Sequence, residues 1–284
     1  MELKEVASGK SASEPRKTEI RFTWDIHFRC NYRCPYCWFY HKGYDYARDE
    51  RHFSTEEWVI MWKNIFEKYG PCYIEIASGE PFIYPNFVSL VREISKIHLL
   101  TITTNLSVDI DDFVKQIDSS MVKIGVTFHP SFADFDKFIK KAQILKEHGF
   151  IDTVNYLAYP PQIKQLDYFK KKFKQNGLAI MVTTFWGEHN GIKYPEGYTQ
   201  QEIRIIDNDI GKRNKEEYQL KPKEVKGRLC HAGYKYALIK PCGSVVRCSQ
   251  LSDRIIGNFF QEDFRLLDKP EPCEADSCPC NEYA

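Results

Sequence analysis

Between Ile20 and Phe185, short apolar runs alternate with amphipathic stretches, and this alternation restricts the chain to a parallel sheet wrapped by helices. Strands are predicted over Ile20–Phe28, Tyr73–Ala77, Leu100–Thr104, Val122–Phe128, Thr153–Ala158 and Ala179–Phe185. The clearest helix follows Ser54-Thr55-Glu56-Glu57, a capping-box start. It sets Trp58, Met61, Trp62, Ile65, Phe66 and Tyr69 on one face and stops at Gly70-Pro71. A second helix carries Phe135, Phe138, Ile139, Ala142 and Leu145 and ends at Gly149. Six β–α units are too few for a closed eight-stranded barrel, so an open or partial barrel is expected.

Parallel α/β folds put their chemistry at the carboxyl ends of the strands. After the first strand stands Cys30-Asn31-Tyr32-Arg33-Cys34-Pro35-Tyr36-Cys37. Three thiolates at CX3CX2C spacing fit a four-iron cluster with one iron left open. An open iron binds a small molecule, whereas a fully ligated cluster only passes electrons. Zinc prefers CX2C pairs that complete a tetrahedron, and only His27 and His41 stand nearby as a further ligand. The ten cysteines are unevenly spread: three at 30–37, Cys72 alone, and six between 230 and 280. Met1-Glu2-Leu3-Lys4-Glu5 lacks the apolar core of a signal peptide, so two metal sites are expected rather than disulfides.

The cysteine triplet, with aromatic Tyr36 before its last member, resembles the signature of the radical S-adenosylmethionine (radical SAM) family. The resemblance implies a partial (β/α)6 TIM-like barrel in which Cys30, Cys34 and Cys37 hold a catalytic 4Fe-4S cluster. The amino and carboxylate groups of S-adenosylmethionine (SAM) then occupy the fourth iron. Ser78-Gly79-Glu80-Pro81 resembles the family's Gly-Gly-Glu-Pro element, which bonds the methionine amino group, with Ser78 in place of the first glycine. Tyr36, Ser78, Gly79, Glu80, Pro81, Asn105, Thr127 and Asn155 are the SAM-binding candidates, with Thr104, His129, Pro130 and Tyr156 as neighbours. A lone strand-end Thr or Asn also serves as an ordinary turn or cap residue. Beyond the sixth strand, Trp186-Gly187-Glu188-His189-Asn190-Gly191 offers Glu188 and His189 for substrate binding or proton movement, or is a solvated loop.

Cys230, Gly243 and Cys248 form a C-X12-G-X4-C pattern, and Cys273, Cys278 and Cys280 follow. This resembles the auxiliary-cluster extensions of radical SAM enzymes, SPASM when long and twitch when short, and implies a second 4Fe-4S cluster. Tyr234–Lys240 and Ser244–Arg247 flank Pro241-Cys242-Gly243 as a hairpin that brings Cys230 and Cys248 together. Two of Cys273, Cys278 and Cys280 complete four ligands, and the choice stays open. A structural zinc site is the alternative for this module. Cys242 at the hairpin tip is read as a non-ligand and Cys72 as a small buried apolar residue.

The expected organisation is α/β: a polar, mobile tail over 1–18, the partial barrel over 19–195, a charged bridging helix and linker over 196–226, and a small β-hairpin/α auxiliary-cluster module over 227–284. A formal net charge of +1 gives no electrostatic case for nucleic acid, and no apolar run reaches membrane-spanning length. The lysine runs at 140–146 and 170–174 read as solvated helix faces. A cytoplasmic enzyme follows, with no membrane partner. It abstracts hydrogen from a substrate carbon through a 5′-deoxyadenosyl radical, and an electron donor such as flavodoxin or ferredoxin serves it. The first expectation is oxidation of a small-molecule substrate helped by the auxiliary cluster. The alternative is maturation of a ribosomally made peptide substrate. The segment before the first strand is short for a leader-binding domain, so a separate peptide-binding protein would supply that part. A third reading, from another class, is a non-catalytic zinc-binding module.

Overall fold

The computed structural model describes residues 19–41, 52–210 and 223–278. The expected tail over 1–18, residues 211–222 of the bridging segment and Cys280 lie outside them. Six strands follow the predicted alternation: β1 (Arg21–Asp25), β2 (Tyr73–Ala77), β3 (Leu99–Thr104), β4 (Val122–Phe128), β5 (Thr153–Leu157) and β6 (Ala179–Thr183). They pair in sequence order and all in parallel, the arrangement that right-handed helical crossovers produce. The helices between them include α1 (Thr55–Tyr69), α2 (Phe87–Ile94), α3 (Asp111–Gln116), α4 (Phe135–Glu147) and α5 (Leu166–Gln175), with α6 (Gln200–Ile210) after β6. The fold is the expected partial α/β barrel.

The predicted capping box starts α1. Ser54 Oγ accepts from the Glu57 amide at 3.2 Å, and the Glu57 carboxylate accepts from the Ser54 amide at 2.8 Å. Such a cap stabilises a helix by about 1 kcal/mol. In α4, Phe138, Ile139, Ala142 and Leu145 are buried, and Gly149 turns the chain at φ 77°.

The C-terminal hairpin is built into the barrel sheet. Its strands, β7 (Tyr236–Ile239) and β8 (Ser244–Val246), are antiparallel to each other, and β9 (Ile255–Asn258) extends them. β7 then pairs in parallel with β1, Arg21 opposite Tyr236 and Trp24 opposite Ile239. The sheet order is therefore β9-β8-β7-β1-β2-β3-β4-β5-β6. Two further short ladders lie within 223–278: Leu229–Cys230 with Glu271–Pro272, and Lys223–Glu224 with Ser277–Cys278.

Helix α1 holds both parts. Trp58 and Trp62 pack on Trp24 of β1, with ring centroids 4.5 and 5.4 Å away, while Phe259 sits 4.7 Å from Trp62 and Phe260 stacks on Phe53 at 3.7 Å. Trp24, Trp58 and Trp62 are fully buried. Side chains of this size each contribute roughly 1.5–3 kcal/mol or more by leaving water. The last turn of α1 adds polar ties: Lys68 Nζ donates to the carbonyls of Glu262 and Phe264, and Tyr69 Oη accepts from the Leu266 amide at 2.8 Å. No helix among the described residues is long and apolar enough to cross a membrane.

Candidate active site

The cysteine loop leaves the carboxyl end of β1 and is held by the turn that leaves β2. Ser78 and Gly79 both take left-handed backbone, at φ 69° and 55°. At Gly79 the requirement is steric as well, since a Cβ there would lie 2.2 Å from the Arg29 carbonyl oxygen. That close approach lets the Glu80 amide donate to Arg29 O at 2.8 Å, one residue before Cys30. The Ser78 hydroxyl donates to His27 O at 3.0 Å, a tie that glycine lacks. His27 Nε2 returns a bond to Glu80 O at 2.9 Å. The turn and the loop thus lock across three contacts.

Glu80 itself is fully buried and spans to β3. Oε1 accepts from Thr104 Oγ1 at 2.7 Å and from the Phe82 amide at 3.1 Å, and Oε2 accepts from the Asn105 amide at 2.7 Å. Burial pushes its carboxyl upward, opposed by these donors. Asn105 continues the chain of contacts: Nδ2 donates to Asn31 Oδ1 at 3.0 Å and lies 3.8 Å from Cys30 Sγ. Pro81 is buried at the start of the following short turn.

Aromatic rings wall the other side of the loop. Tyr36 stacks on His129 with a 13° interplanar angle, and its hydroxyl shares a 2.8 Å hydrogen bond with His129 Nδ1. The same nitrogen lies 3.6 Å from Cys34 Sγ. Tyr159 contacts Tyr36 at 4.8 Å and bonds His189 Nδ1 at 2.8 Å, so His189 joins this wall while Glu188 faces solvent. Burial pushes the Cys34 thiol up to about 12, raises Cys30, and lowers His129 to about 4. Buried thiols of this kind would release their protons on binding a metal centre whose positive charge compensates the thiolates.

Among the buried polar atoms of the described residues without a hydrogen-bond partner are Asn155 Oδ1, in the middle of β5, and Thr184 Oγ1, just past the end of β6. Thr127 pairs with Asn155 in register. Orphaned polar atoms of this kind suit a polar ligand, and with the three thiols they suit a cluster with bound SAM.

The second cysteine set also converges. Cys230 and Cys273 are buried together with Val225, Ala232 and Tyr236, and Cys248 and Cys278 pack against the same group. The Cys273 amide donates to Arg228 O at 2.8 Å, which fixes the Leu229–Cys230 ladder beside Cys273. Backbone amides of Gln250 and Leu251 turn toward the Cys248 sulfur and partly offset the rise that burial imposes on its thiol. By donor type these four sulfurs suit a tetrathiolate cluster, although no group of three or more His, Cys, Asp or Glu among the described residues is arranged to hold a metal ion. Cys242 is exposed at the hairpin turn and Cys72 is fully buried, bonded through its amide to His98.

A cavity of about 390 Å³ is lined by residues that adjoin both cysteine sets in sequence: Trp38 and Phe39, just after Cys37, and Ser249 and Gln250, just after Cys248. Trp186, Lys240, Thr23 and Asp25 of β1 and Tyr236 of β7 line it as well. Sequence reasoning missed Asp25, Thr184, Tyr159 and Lys240; only their positions at or near strand ends could have marked them.

The radical SAM superfamily profile matches residues 25–165. AlbA of Bacillus subtilis, a biosynthesis protein of the antilisterial bacteriocin subtilosin, is 21% identical over 96% of this chain and 68% of its own length. GTP 3′,8-cyclase of Microcystis aeruginosa is 29% identical over 39% of this chain, which spans only 35% of the cyclase. SuiB of Streptococcus suis superposes with a TM-score of 0.62 at 15% identity, over 86% of this chain and 64% of SuiB. SuiB has also been solved with S-adenosylmethionine and with its precursor peptide SuiA.

Proposed function

Because the chain belongs to the radical SAM superfamily, we propose that it is a peptide-modifying radical SAM enzyme that acts on a residue held between two iron–sulfur clusters. The observation that carries this reading is the cavity lined both by residues that follow Cys37 and by residues that follow Cys248. The small-metabolite oxidation expected first from sequence gives way to its alternative. Support for the peptide comes from AlbA, alike along nearly the whole chain, and from SuiB, whose partner is a precursor peptide. A cavity of about 390 Å³ is at the small end for ligand pockets and suits one side chain with its adjoining backbone.

Cys30, Cys34 and Cys37 would hold the catalytic cluster, and Cys230, Cys248, Cys273 and Cys278 the auxiliary one. With SAM bound, the reduced catalytic cluster supplies a 5′-deoxyadenosyl radical that takes hydrogen from a substrate carbon. The residues do the rest. The Glu80 and Pro81 carbonyls of the Ser78–Pro81 turn already accept from His27, Ile83 and Tyr84, so those of Ser78 and Gly79 would accept from the methionine ammonium, while the Glu80 side chain braces that turn against β3. Asn155 Oδ1 and Thr184 Oγ1 offer bonds to the remaining polar groups of SAM. Tyr36 and His129 close the loop's flank against water, which shields a radical from side reactions. Four thiolates at the second site leave no open coordination position, an arrangement suited to passing electrons rather than holding substrate.

The test is anaerobic incubation of the reconstituted protein with SAM, a reductant and either candidate precursor peptides or a panel of sugars and small metabolites. A peptide mass change that accompanies 5′-deoxyadenosine and disappears when Cys30, Cys34 and Cys37 become Ala supports the proposal. SAM cleavage stimulated by a metabolite and by no peptide restores the first expectation. Zinc without acid-labile sulfide would establish the non-catalytic module instead.

A further inference from the structure

Arg247 is the one fully buried cation among the described residues, at 1% exposure, between Val246 and Cys248. A guanidinium cannot release its proton, so its burial demands that both its donors and its charge be met. Three donors go to three carbonyls: Nε to Ala232 O at 2.8 Å, Nη1 to Pro272 O at 2.9 Å and Nη2 to Glu271 O at 2.6 Å. Each of these segments carries a cysteine. Ala232 stands two residues after Cys230, Pro272 stands immediately before Cys273, and Arg247 stands immediately before Cys248. The backbone makes room for this. Gly233 has φ +89°, and a Cβ there would lie 2.6 Å from Leu267 Cδ1 and 3.2 Å from Arg247 Cγ. The Glu271 carboxylate lies 3.8 Å from Nη1 and is 37% exposed, so its screening of the buried cation is incomplete.

We infer that Arg247 is a positioning residue of the auxiliary site: its planar fork clasps the segments presenting Cys230, Cys248 and Cys273, and its buried charge raises the potential of the cluster they hold. The inference rests on the proposed second cluster. Lysine offers a single point in place of a fork reaching three separate carbonyls. A tetrathiolate cluster gains negative charge on reduction, and a buried cation beside it favours the reduced form.

The experiment uses the full chain with Cys30, Cys34 and Cys37 changed to Ala, so that only the second site can hold iron. Iron and sulfide per chain and an EPR-monitored redox titration are compared for this parent, R247M, R247K and E271Q. The expected parent carries about four irons. R247M loses at least half of its iron, and the cluster it keeps titrates at a lower potential. R247K recovers the potential more fully than the iron. E271Q, whose backbone carbonyl still meets Arg247, keeps its iron and titrates at a higher potential. R247M with full iron and an unchanged potential would overturn the inference while leaving the second cluster in place. If R247M does not fold, E271Q decides, and an unmoved potential there overturns the electrostatic half. A parent without iron and sulfide overturns the inference together with the reading beneath it.

Discussion

Replacing Gly79 by Ala tests whether the turn after β2 positions the cysteine loop. The change acts in two ways. Left-handed backbone at φ 55° costs an L-residue about 1–2 kcal/mol. The new methyl would also lie 2.2 Å from Arg29 O and 2.9 Å from His27 O, both backbone atoms. Relief needs a displacement of roughly 1 Å in the segment leading into Cys30, and overpacking of this kind costs about 1–3 kcal/mol. Together the effects amount to about 2–5 kcal/mol. Gly177 is the control: its φ is 72°, yet nothing lies within 4 Å of a Cβ there. Gly177→Ala therefore carries a backbone cost without a clash. Thermal melts of the metal-free chain should place Gly79→Ala below Gly177→Ala by roughly 2–4 °C for each kcal/mol of the steric difference. Anaerobically reconstituted Gly79→Ala should fall from about eight irons toward about four, whereas Gly177→Ala keeps both clusters. Equal melting temperatures and equal iron in the two variants would refute the argument that this close approach shapes the site.

Further outcomes follow from neighbouring contacts. His98 is buried and neutral, its Nδ1 accepting from the Cys72 amide and its Nε2 donating to Trp62 O, and burial holds it at about 4 against an ordinary 6.5. The unfolded chain therefore binds more protons between those values, so stability falls as pH drops from about 6.5 through about 4, by up to about 3 kcal/mol. Urea melts at pH 7 and pH 5 should show a smaller loss in His98→Gln; an equal loss assigns the effect elsewhere. Ser78→Ala removes the bond to His27 O while keeping the left-handed strain, and should cost about 1–2 kcal/mol in the same melts. Ser78→Gly relieves the strain as it loses the bond, so it should lie within about 1 kcal/mol of wild type. Cys242→Ser and Cys72→Ala should both leave the iron content unchanged, because one residue is exposed at a turn and the other is a small buried core residue tied by its amide to His98; iron loss in either variant contradicts those roles.

The strands were legible because the alternation of buried and polar residues has a short period, and β2 and β4 coincide with the predicted Tyr73–Ala77 and Val122–Phe128. The misplaced ends have physical causes. The first strand stops at Asp25 rather than Phe28 because the chain beyond it bonds the β2 turn: His27 O takes the Ser78 hydroxyl and Arg29 O takes the Glu80 amide. β6 stops at Thr183 rather than Phe185, whose amide turns to Tyr198 Oη at 2.9 Å. Apolar patterning survives in both segments, so hydrophobicity alone cannot show that the ladder has ended.

The same distinction separates what could be read of the site from what could not. The proposed ligands Cys30, Cys34 and Cys37 share one short loop and stand out by their spacing, and the convergence of Cys230, Cys248, Cys273 and Cys278 follows from a hairpin and two short ladders. The groups that hold those loops depend on pairing across the sheet. Nothing in Tyr236–Ile239 says that it will lie parallel to β1, more than two hundred residues away, yet that pairing sets Tyr236 beside Thr23, with a 3.0 Å bond between their hydroxyls, and closes one side of the cavity. Arg247 ends an apolar strand and would pass for a solvated residue in sequence. Only the arrival of Ala232, Glu271 and Pro272 around it makes its burial possible. A loop motif therefore identifies the chemistry of such a site, while its rigidity belongs to contacts that become definite when distant segments meet.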